Sequence, residues 1–553
     1  MQHQTLDTWP EASLEPMSEP STVVTDSPIT TSLESNDTRL DGTRKFLSLD
    51  AQEEIINVDS VRRDLVRKLD LGPTELDELV AFICPEKRCG SDSRGGSDSR
   101  GGKKLFAVLA MIDQLGSIVV FKKEGINDSH LPFKRIGATK LIPSNYSGSF
   151  ELSRGWRSKA MMDFENYQWY TLTPFLRPSS LHFLEDGVIL PWTQCERVKE
   201  GGHSVVYKES STYFALKELK STERSIFDGE RDGFRKSGQH RHLTELLTSF
   251  QHRGRYYLLF PWAYGGTLDD LWGLSPNELA YVDKQWVAQQ VYGIVDGLSR
   301  VHYVKSHQKD LKKGIEAVLD DKQKDDDKIF GRHGDIKRDN VLLFQSEHRS
   351  EGVLKLSDFG LTVFHSNMSK STDRPGSVRP CGLAYRAPEA EAERSDNRMS
   401  PRYDIWCLGC LYLDMITWLL LGPEGLNKFL EKRLREKVYP LRFETEYFWK
   451  FTKGSLGNLG PPVVKSSVRH WIRYLQGLDQ CSDYFYDLLD YIEQSMLLCR
   501  PRDRKECEEV LAKLGAMLEN QTSNMNYLVK KTRRSTLASR LRTKFFSTIQ
   551  NFT

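Results

Sequence analysis

Two short stretches bring hard oxygen donors and a lysine together. "GRHGDIKRDNVLLF", 331–344, carries Asp335, Lys337 two residues on and Asn340 five residues on. "LKLSDFG", 354–360, ends an apolar run with Asp358. Carboxylate and amide oxygens suit a hard divalent cation such as Mg²⁺. A carboxylate near a hydroxyl nucleophile, a cation on the phosphate and metal held by oxygen ligands are the parts that phosphoryl transfer from ATP requires. In those roles Asp335 is the base that orients the acceptor hydroxyl, and Lys337 reaches the transferring phosphate. Asn340 and Asp358 are the metal ligands. Either motif alone is weak, and Asp335 and Asn340 taken singly read as turn residues. Their order along the chain makes the set specific. His333 and Phe359 read as packing residues.

The remaining parts of such a site occur upstream and downstream. "VVYKESSTYFALKELK" reads as two strands and a hairpin, with Lys217 in "FALK" placed for the α and β phosphates. That lysine needs an anionic partner. Glu230 in "IFDGERDGF" is the first choice and Glu223 the second. A phosphate cover is expected in "VKEGGHSVVYK", where missing side chains let backbone N–H groups approach phosphate oxygens. Of its three glycine positions, Lys199, Gly201 and Ser204, only the middle one is glycine. Gly202, small Ser204 and Val206 complete the stretch. In "YYLLFPWAYGG", Phe260 stands at the back of an adenine pocket and Pro261 to Ala263 form a hinge whose backbone reads the base. "YRAPE" ends at Glu389, "DIWCLG" covers 404–409, and Arg504 is placed to pair with Glu389.

In order, FALK, HGDIKRDN, DFG, APE and D-x-W-x-x-G resemble the eukaryotic protein kinase family over about 185–515. Lys337 looks like the serine/threonine branch. "GRHGDIK…N" also resembles filamentous-fungal kinase-like proteins with a helical N-terminal extension. The resemblance implies an α+β, bilobal fold, ATP and Mg²⁺ as cofactors, and transfer of the γ-phosphate to Ser/Thr of a protein. The long stretch from Asp358 to Glu389 argues for a protein over a small-molecule substrate.

Three departures from the family pattern stand out. Gly334 replaces the arginine that pairs with a phosphorylated activation segment, so phosphate on Ser366, Ser369, Ser371, Thr372 or Ser377 is not expected to be the switch. Gly382 falls where a threonine is usual. Lys199 replaces the first glycine of the phosphate cover. The alternative they raise is a pseudokinase or ATP-binding signalling scaffold that acts through an N-terminal interaction domain.

Around this unit the 553 residues organise simply. Residues 1–45, rich in Ser, Thr, Pro and acids, are expected to be disordered. A small, mostly helical domain is expected over 46–180, with helices in "AQEEIINVDSVRRDLVRKL", "TELDELVAFIC" and "KKLFAVLAMIDQL", a strand in "SIVVF" and a flexible loop in the repeat "GSDSRGGSDSRGG". Its partner is open. The 304–332 stretch reads as a charged, solvated insertion. Residues 516–553 read as a basic tail whose commonest form is a frayed helix, with acidic lipid, nucleic acid or an import factor as lesser possibilities.

A net charge of +2 argues for neither nucleic acid nor membrane. Nine scattered cysteines form no disulfide framework, and Cys407 and Cys410 sit among apolar residues as on a buried helix. The first residues form no signal peptide. "IWCLGCLYLDMITWLLLG" contains Asp414 and reads as a buried helix, not a membrane span. An intracellular protein is expected, in cytoplasm or nucleus.

Overall fold

The computed structural model describes residues 38–40, 44–86, 101–136, 140–144, 156–190, 195–200, 204–209, 214–304, 329–346, 349–366, 383–391, 399–436, 445–454 and 458–532. The chain divides into two compact units, Met1–Arg177 with Leu184–Cys195, and Pro178–Phe183 with Glu196–Thr553.

The first unit starts with a hairpin, β1 (Thr38–Leu40) against β2 (Arg44–Phe46). The acidic tail expected to be disordered to residue 45 thus ends in a strand. Asp41-Gly42 between the two runs is a strong hairpin signal in sequence. Helices α1 (Leu49–Ile55), α2 (Val58–Lys68), α3 (Pro73–Ile83), α4 (Lys103–Met111) and α5 (Ser117–Lys123) follow. The run read as one helix from Ala51 is two, because the Asn57 side chain accepts from Asp59 N and Ser60 N and so caps α2. The expected strand "SIVVF" is helix α5. Ile118 and Phe121, three apart, are buried while Val120 is half exposed, which is helical rather than alternating spacing.

A second hairpin, β3 (Phe133–Ile136) with β4 (Lys140–Pro143), and α6 (Ser158–Thr171) complete this unit. Phe121, Phe133 and Phe164 pack with centroids 5.3–6.2 Å apart at its centre. Gln168 acts as a strand neighbour, accepting from Phe133 N at 2.6 Å and donating to Phe133 O at 2.8 Å.

The second unit opens with a sheet. Strands β5 (Leu181–Phe183), β6 (Cys195–Glu200), β7 (Ser204–Glu209), β8 (Phe214–Leu219), β9 (Thr248–His252) and β10 (Arg255–Pro261) lie in the order β5-β9-β10-β8-β7-β6. Helix α7 (Arg224–Ser237) sits between β8 and β9 in sequence. The chain then passes α8 (Leu268–Trp272) to the long helix α9 (Lys284–His302). Three short strands, β11 (Tyr303–Val304), β12 (Ile329–Arg332) and β15 (Val363–Ser366), pair as β11-β12-β15. The hairpin β13 (Val341–Ser346) with β14 (Arg349–Leu356) lies between them in sequence. The end of the expected solvated insertion is therefore ordered. Residues 329–332 carry Ile329 and Phe330 and find two strands to pair with, while 305–328 lie outside the described residues.

Helix α10 (Arg402–Arg435) is kinked at Gly422–Pro423. It is the one described helix long and apolar enough to cross a membrane, and 78% of its apolar window is buried within the protein. Asp414 is tolerated there because Tyr385 donates to its Oδ2 at 2.7 Å and Arg433 lies 3.5 Å from Oδ1. A hairpin of β16 (Trp449–Lys453) and β17 (Leu459–Val464) precedes α11 (Ser466–Gly477), α12 (Asp483–Tyr491), α13 (Cys507–Ser523) and α14 (Met525–Val529).

The basic tail read from residue 516 begins later than expected. Met517 and Leu528 are buried, Tyr527 donates to Asp487 at 2.9 Å, and Lys531 donates to the Gly477 and Leu478 carbonyls. Residues 533–553 lie outside the described residues.

Candidate active site

Lys217 sits on β8, flanked in register by Val206 of β7 and Leu258 of β10. Its Nζ lies 2.6 Å from Glu230 Oε1 and 2.8 Å from Asp358 Oδ1. Glu230, on the buried face of α7, is the partner; Glu223 is only the residue that precedes that helix. Burial alone would lower the Lys217 pKa, but the two carboxylates outweigh it and hold the pKa above the ordinary lysine value. Burial would likewise raise Asp358; the Lys217 ammonium and the Gly360 N–H reverse this and keep its carboxyl well below the usual range. Asp358 has φ +64°, a left-handed conformation that a non-glycine residue adopts at a cost of roughly 1–2 kcal/mol.

Four side chains fix this arrangement from behind. Phe260 meets Phe234 of α7 with centroids 4.9 Å apart. Phe234 meets Phe359 at 4.4 Å, and Phe359 meets His333 at 5.1 Å. His333 is fully buried, as its reading as a packing residue anticipates. Its backbone N–H donates to Asp404 Oδ2 at 2.7 Å, and Gly334 N–H donates to Asp404 Oδ1 at 2.9 Å. His302 Nε2 completes the Asp404 shell at 2.8 Å. The "DIWCLG" aspartate thus holds the turn that carries Asp335. The part played by His302 went unread, because one histidine near a helix end has no sequence signature of its own.

Asp335 is buried, and its two oxygens differ. Oδ2 accepts from Lys337 Nζ at 2.8 Å and Asn340 Nδ2 at 2.7 Å. Oδ1 is buried and has no hydrogen-bond partner among the described residues. Asn340 Nδ2 also donates to Asp335 O at 2.9 Å. Its Oδ1 makes no hydrogen bond among the described residues, which leaves it available to a metal.

The donors at the site fit Mg²⁺ with ATP. Among the described residues no group of three or more His, Cys, Asp or Glu side chains is arranged to hold a metal. Mg²⁺ does not need one; it keeps waters and takes oxygens from substrate phosphates, so Asp358 and Asn340 suffice as protein ligands. Phe260 is buried at the end of β10, and Pro261 and Ala263 follow partly buried, with Ala263 O already accepting from Gly266 N. Proline has no N–H, so Pro261 can offer a base only its carbonyl. Ser204 and Val206 lie on β7; Gly201 and Gly202 lie outside the described residues, as does Gly382.

The structure therefore brings together Lys217, Glu230 and Asp358 in one contact set, and Asp335, Lys337 and Asn340 in another. Arg504 meets Glu389 through both terminal nitrogens, at 2.5 and 2.7 Å.

Residues 326–513 match the family model described as Protein kinase domain. Cyclin-dependent kinase-like 2 of Rattus norvegicus is 31% identical over 188 residues, which is 34% of this chain and 29% of that protein. The Homo sapiens protein of that name shows the same identity over the same shares. Serine/threonine-protein kinase SSN3 of Candida glabrata is 23% identical over 268 residues, 47% of this chain and 40% of that protein. The chain thus spans less than a third of the length of the cyclin-dependent kinase-like relatives. The second unit mixes sheet and helix, its 326–513 stretch is similar to a protein kinase domain, and a mostly helical region precedes it. These matches make residues 326–513 similar to eukaryotic protein kinase domains.

Proposed function

We propose that the chain is an active, ATP-dependent kinase that transfers the γ-phosphate to Ser/Thr of protein substrates. The observation that carries this reading is the asymmetry of Asp335. Its Oδ2 is fixed by Lys337 and Asn340, while Oδ1 is buried without a partner among the described residues. A buried carboxylate oxygen left unpaired costs free energy unless something occupies it. An acceptor hydroxyl donating to Oδ1 is the natural occupant, and its proton passes to Asp335 as the oxygen attacks. ATP with Mg²⁺ supplies the transferable phosphoryl group and neutralises its charge. Lys217, held by Glu230, positions the phosphates; Lys337 stands beside the base to meet the transferred group.

Serine/threonine preference is supported by Lys337 and by the name of the Candida relative. An intracellular site of action is supported by the thiols of Cys84, Cys481, Cys499 and Cys507, which form no disulfide among the described residues. The helical N-terminal unit, with its own core, serves as the partner-binding module.

The test is transfer of labelled phosphate to a generic basic protein, with Asp335→Asn alongside. Label that needs Asp335 supports the reading. No label, with a nucleotide-dependent rise in melting temperature, would establish the scaffold instead.

A further inference from the structure

Residues 525–532 lie as a strap across the start of α12. Leu528 is buried, and Tyr527 meets Tyr484 of α12 with ring centroids 5.8 Å apart. Val529 O accepts from Nζ of Lys284, the first residue of α9, at 2.9 Å. Lys530 O accepts from Asp483 N at 3.1 Å. Lys531 Nζ donates to the carbonyls of Gly477 and Leu478, both at 3.0 Å. Thr532 is the last described residue. Its N–H donates to both carboxylate oxygens of Asp483 at 3.2 Å, and its hydroxyl donates to Asp483 Oδ2.

Thr532 and its acceptor differ in exposure. Asp483 is 6% exposed, whereas Thr532 lies at the surface. The sequence around the threonine is cationic. Lys530 and Lys531 precede it, Arg533 and Arg534 follow, and no acidic residue occurs after Glu519. An exposed hydroxyl in such a run suits an enzyme with an acidic cleft, because complementary charge speeds encounter and fixes register. A phosphate on that hydroxyl does not fit where the hydroxyl now sits. It is an acceptor of about −1.5 to −2 charge, set against a buried carboxylate that is using a donor. The N-terminus of α12, which favours an anion, already holds Asp483 in its first turn. Lys284 and Lys531 are engaged with backbone carbonyls.

We propose that Thr532 is a phosphoacceptor site, modified by a serine/threonine kinase directed to basic sequences, and that the phosphate releases the strap from α12. In the step the γ-phosphorus of ATP bonds to Thr532 Oγ1, its bond to ADP breaks, and the hydroxyl proton leaves to the base of the modifying enzyme. Nothing in it requires that this chain be that enzyme. Release uncovers Cys481, which is fully buried. Burial pushes that thiol up to about 12, and the charges of Lys531 and Lys284 act against this, which places the strap's lysine beside it. A thiol reagent therefore reports on the strap.

The test uses the full chain, incubated with Mg²⁺ and ATP alone and with an added serine/threonine kinase directed to basic sites. Phosphopeptide mass spectrometry locates the phosphate. Amide exchange follows Met525–Val529, and maleimide labelling follows Cys481. Phosphate is expected on Thr532 in at least one arm. The modified chain should exchange about tenfold faster over Met525–Val529 and label faster at Cys481. Thr532→Val removes the acceptor and should respond to neither treatment. An unmodified Thr532 in both arms overturns the proposal. So does a phosphorylated chain whose exchange matches that of the unmodified one. A Thr532→Val chain that still loosens on treatment also overturns it, since another residue is then the acceptor. If Thr532→Val does not fold, the two wild-type arms decide alone.

Discussion

His242 lies directly over Gly293, so close that a Cβ added at Gly293 would stand 2.0 Å from His242 Nε2. His242 belongs to the loop after α7 and Gly293 to α9, so this contact is where the sheet lobe rests on the helical lobe. Gly297, one turn on, lies under His240, whose Nε2 meets Asp296 Oδ2 at 3.1 Å. The same loop pairs with β14 through Leu356 N to His242 O and Thr244 N to Leu356 O, both 2.9 Å. Gly293→Ala gains about 1 kcal/mol of helix propensity but forces the ring aside. Overpacking of this kind costs about 1–3 kcal/mol, so a net loss in urea-induced unfolding is expected. Unchanged or higher stability would show that the loop can lift off α9 freely.

The same histidine gives the second unit a pH dependence. Burial pulls the His242 pKa down to about 4, and nearby His240 and Arg241 add to this against the Leu354 carbonyl and Asp296. Leu354 O, 2.7 Å from Nδ1, selects the neutral ring with its proton on Nδ1. In the unfolded chain a histidine titrates near 6.5, so between the two values the unfolded state binds more protons. The contribution is complete above about pH 6.5 and is lost as pH falls through 4, a difference of roughly 3 kcal/mol. Urea midpoints at pH 7.5, 6 and 5 should fall more steeply for wild type than for His242→Gln. Parallel curves would exclude His242 as the source.

Lys217 is a structural cation between Glu230 and Asp358 and, in the proposed reading, a catalytic one as well. Its removal strands Glu230, whose side chain is 4% exposed, beside Asp358. Lys217→Met should therefore abolish transfer by at least about 100-fold, in line with the loss of one preorganised electrostatic group. It should also destabilise the protein by about 3–5 kcal/mol, the usual result of leaving one buried charge unpaired. Lys217→Met with Glu230→Gln should recover most of that stability and none of the activity. A single variant as stable as wild type would show that Glu230 reaches water or a proton in its absence.

The sequence was most legible where chemistry dictates residue type. Oxygen donors, a lysine and their order along the chain single out Asp335, Lys337, Asn340, Asp358 and Lys217, which the structure gathers into two contact sets, and Lys217's need for an anionic partner points to Glu230 first and Glu223 second. Contacts made at a distance were not legible. His302 carries no motif, and its role depends on Asp404, far along the chain. Short apolar runs misled in a different way. "SIVVF" has strand-like composition, yet tertiary packing selects only Ile118 and Phe121, and that choice makes it a helix. The helix ending at Ser523 runs past the expected start of the tail because the core reaches Met517.

Arg504 supplies a last test, because every one of its donors is used. Its side chain is fully buried, and a guanidinium has five N–H groups. Nη1 donates to Glu389 and to Arg402 O, Nη2 to Glu389 and to Cys499 O, and Nε to Leu498 O. The guanidinium also lies 5.1 Å from the centre of a Trp406 ring. Lysine offers three donors and no planar fork, so Arg504→Lys leaves carbonyls unsatisfied and should cost about 2–3 kcal/mol. Arg504→Met leaves Glu389 as an unpaired carboxylate and should cost about 3–5 kcal/mol. Paired with Glu389→Leu, the methionine should become less harmful, since removing both partners is far cheaper than removing one. A double-mutant cycle in urea measures this coupling directly. Additive losses would mean that the carbonyls alone hold Arg504, and that Glu389 is tied to the helical lobe by something other than this pair.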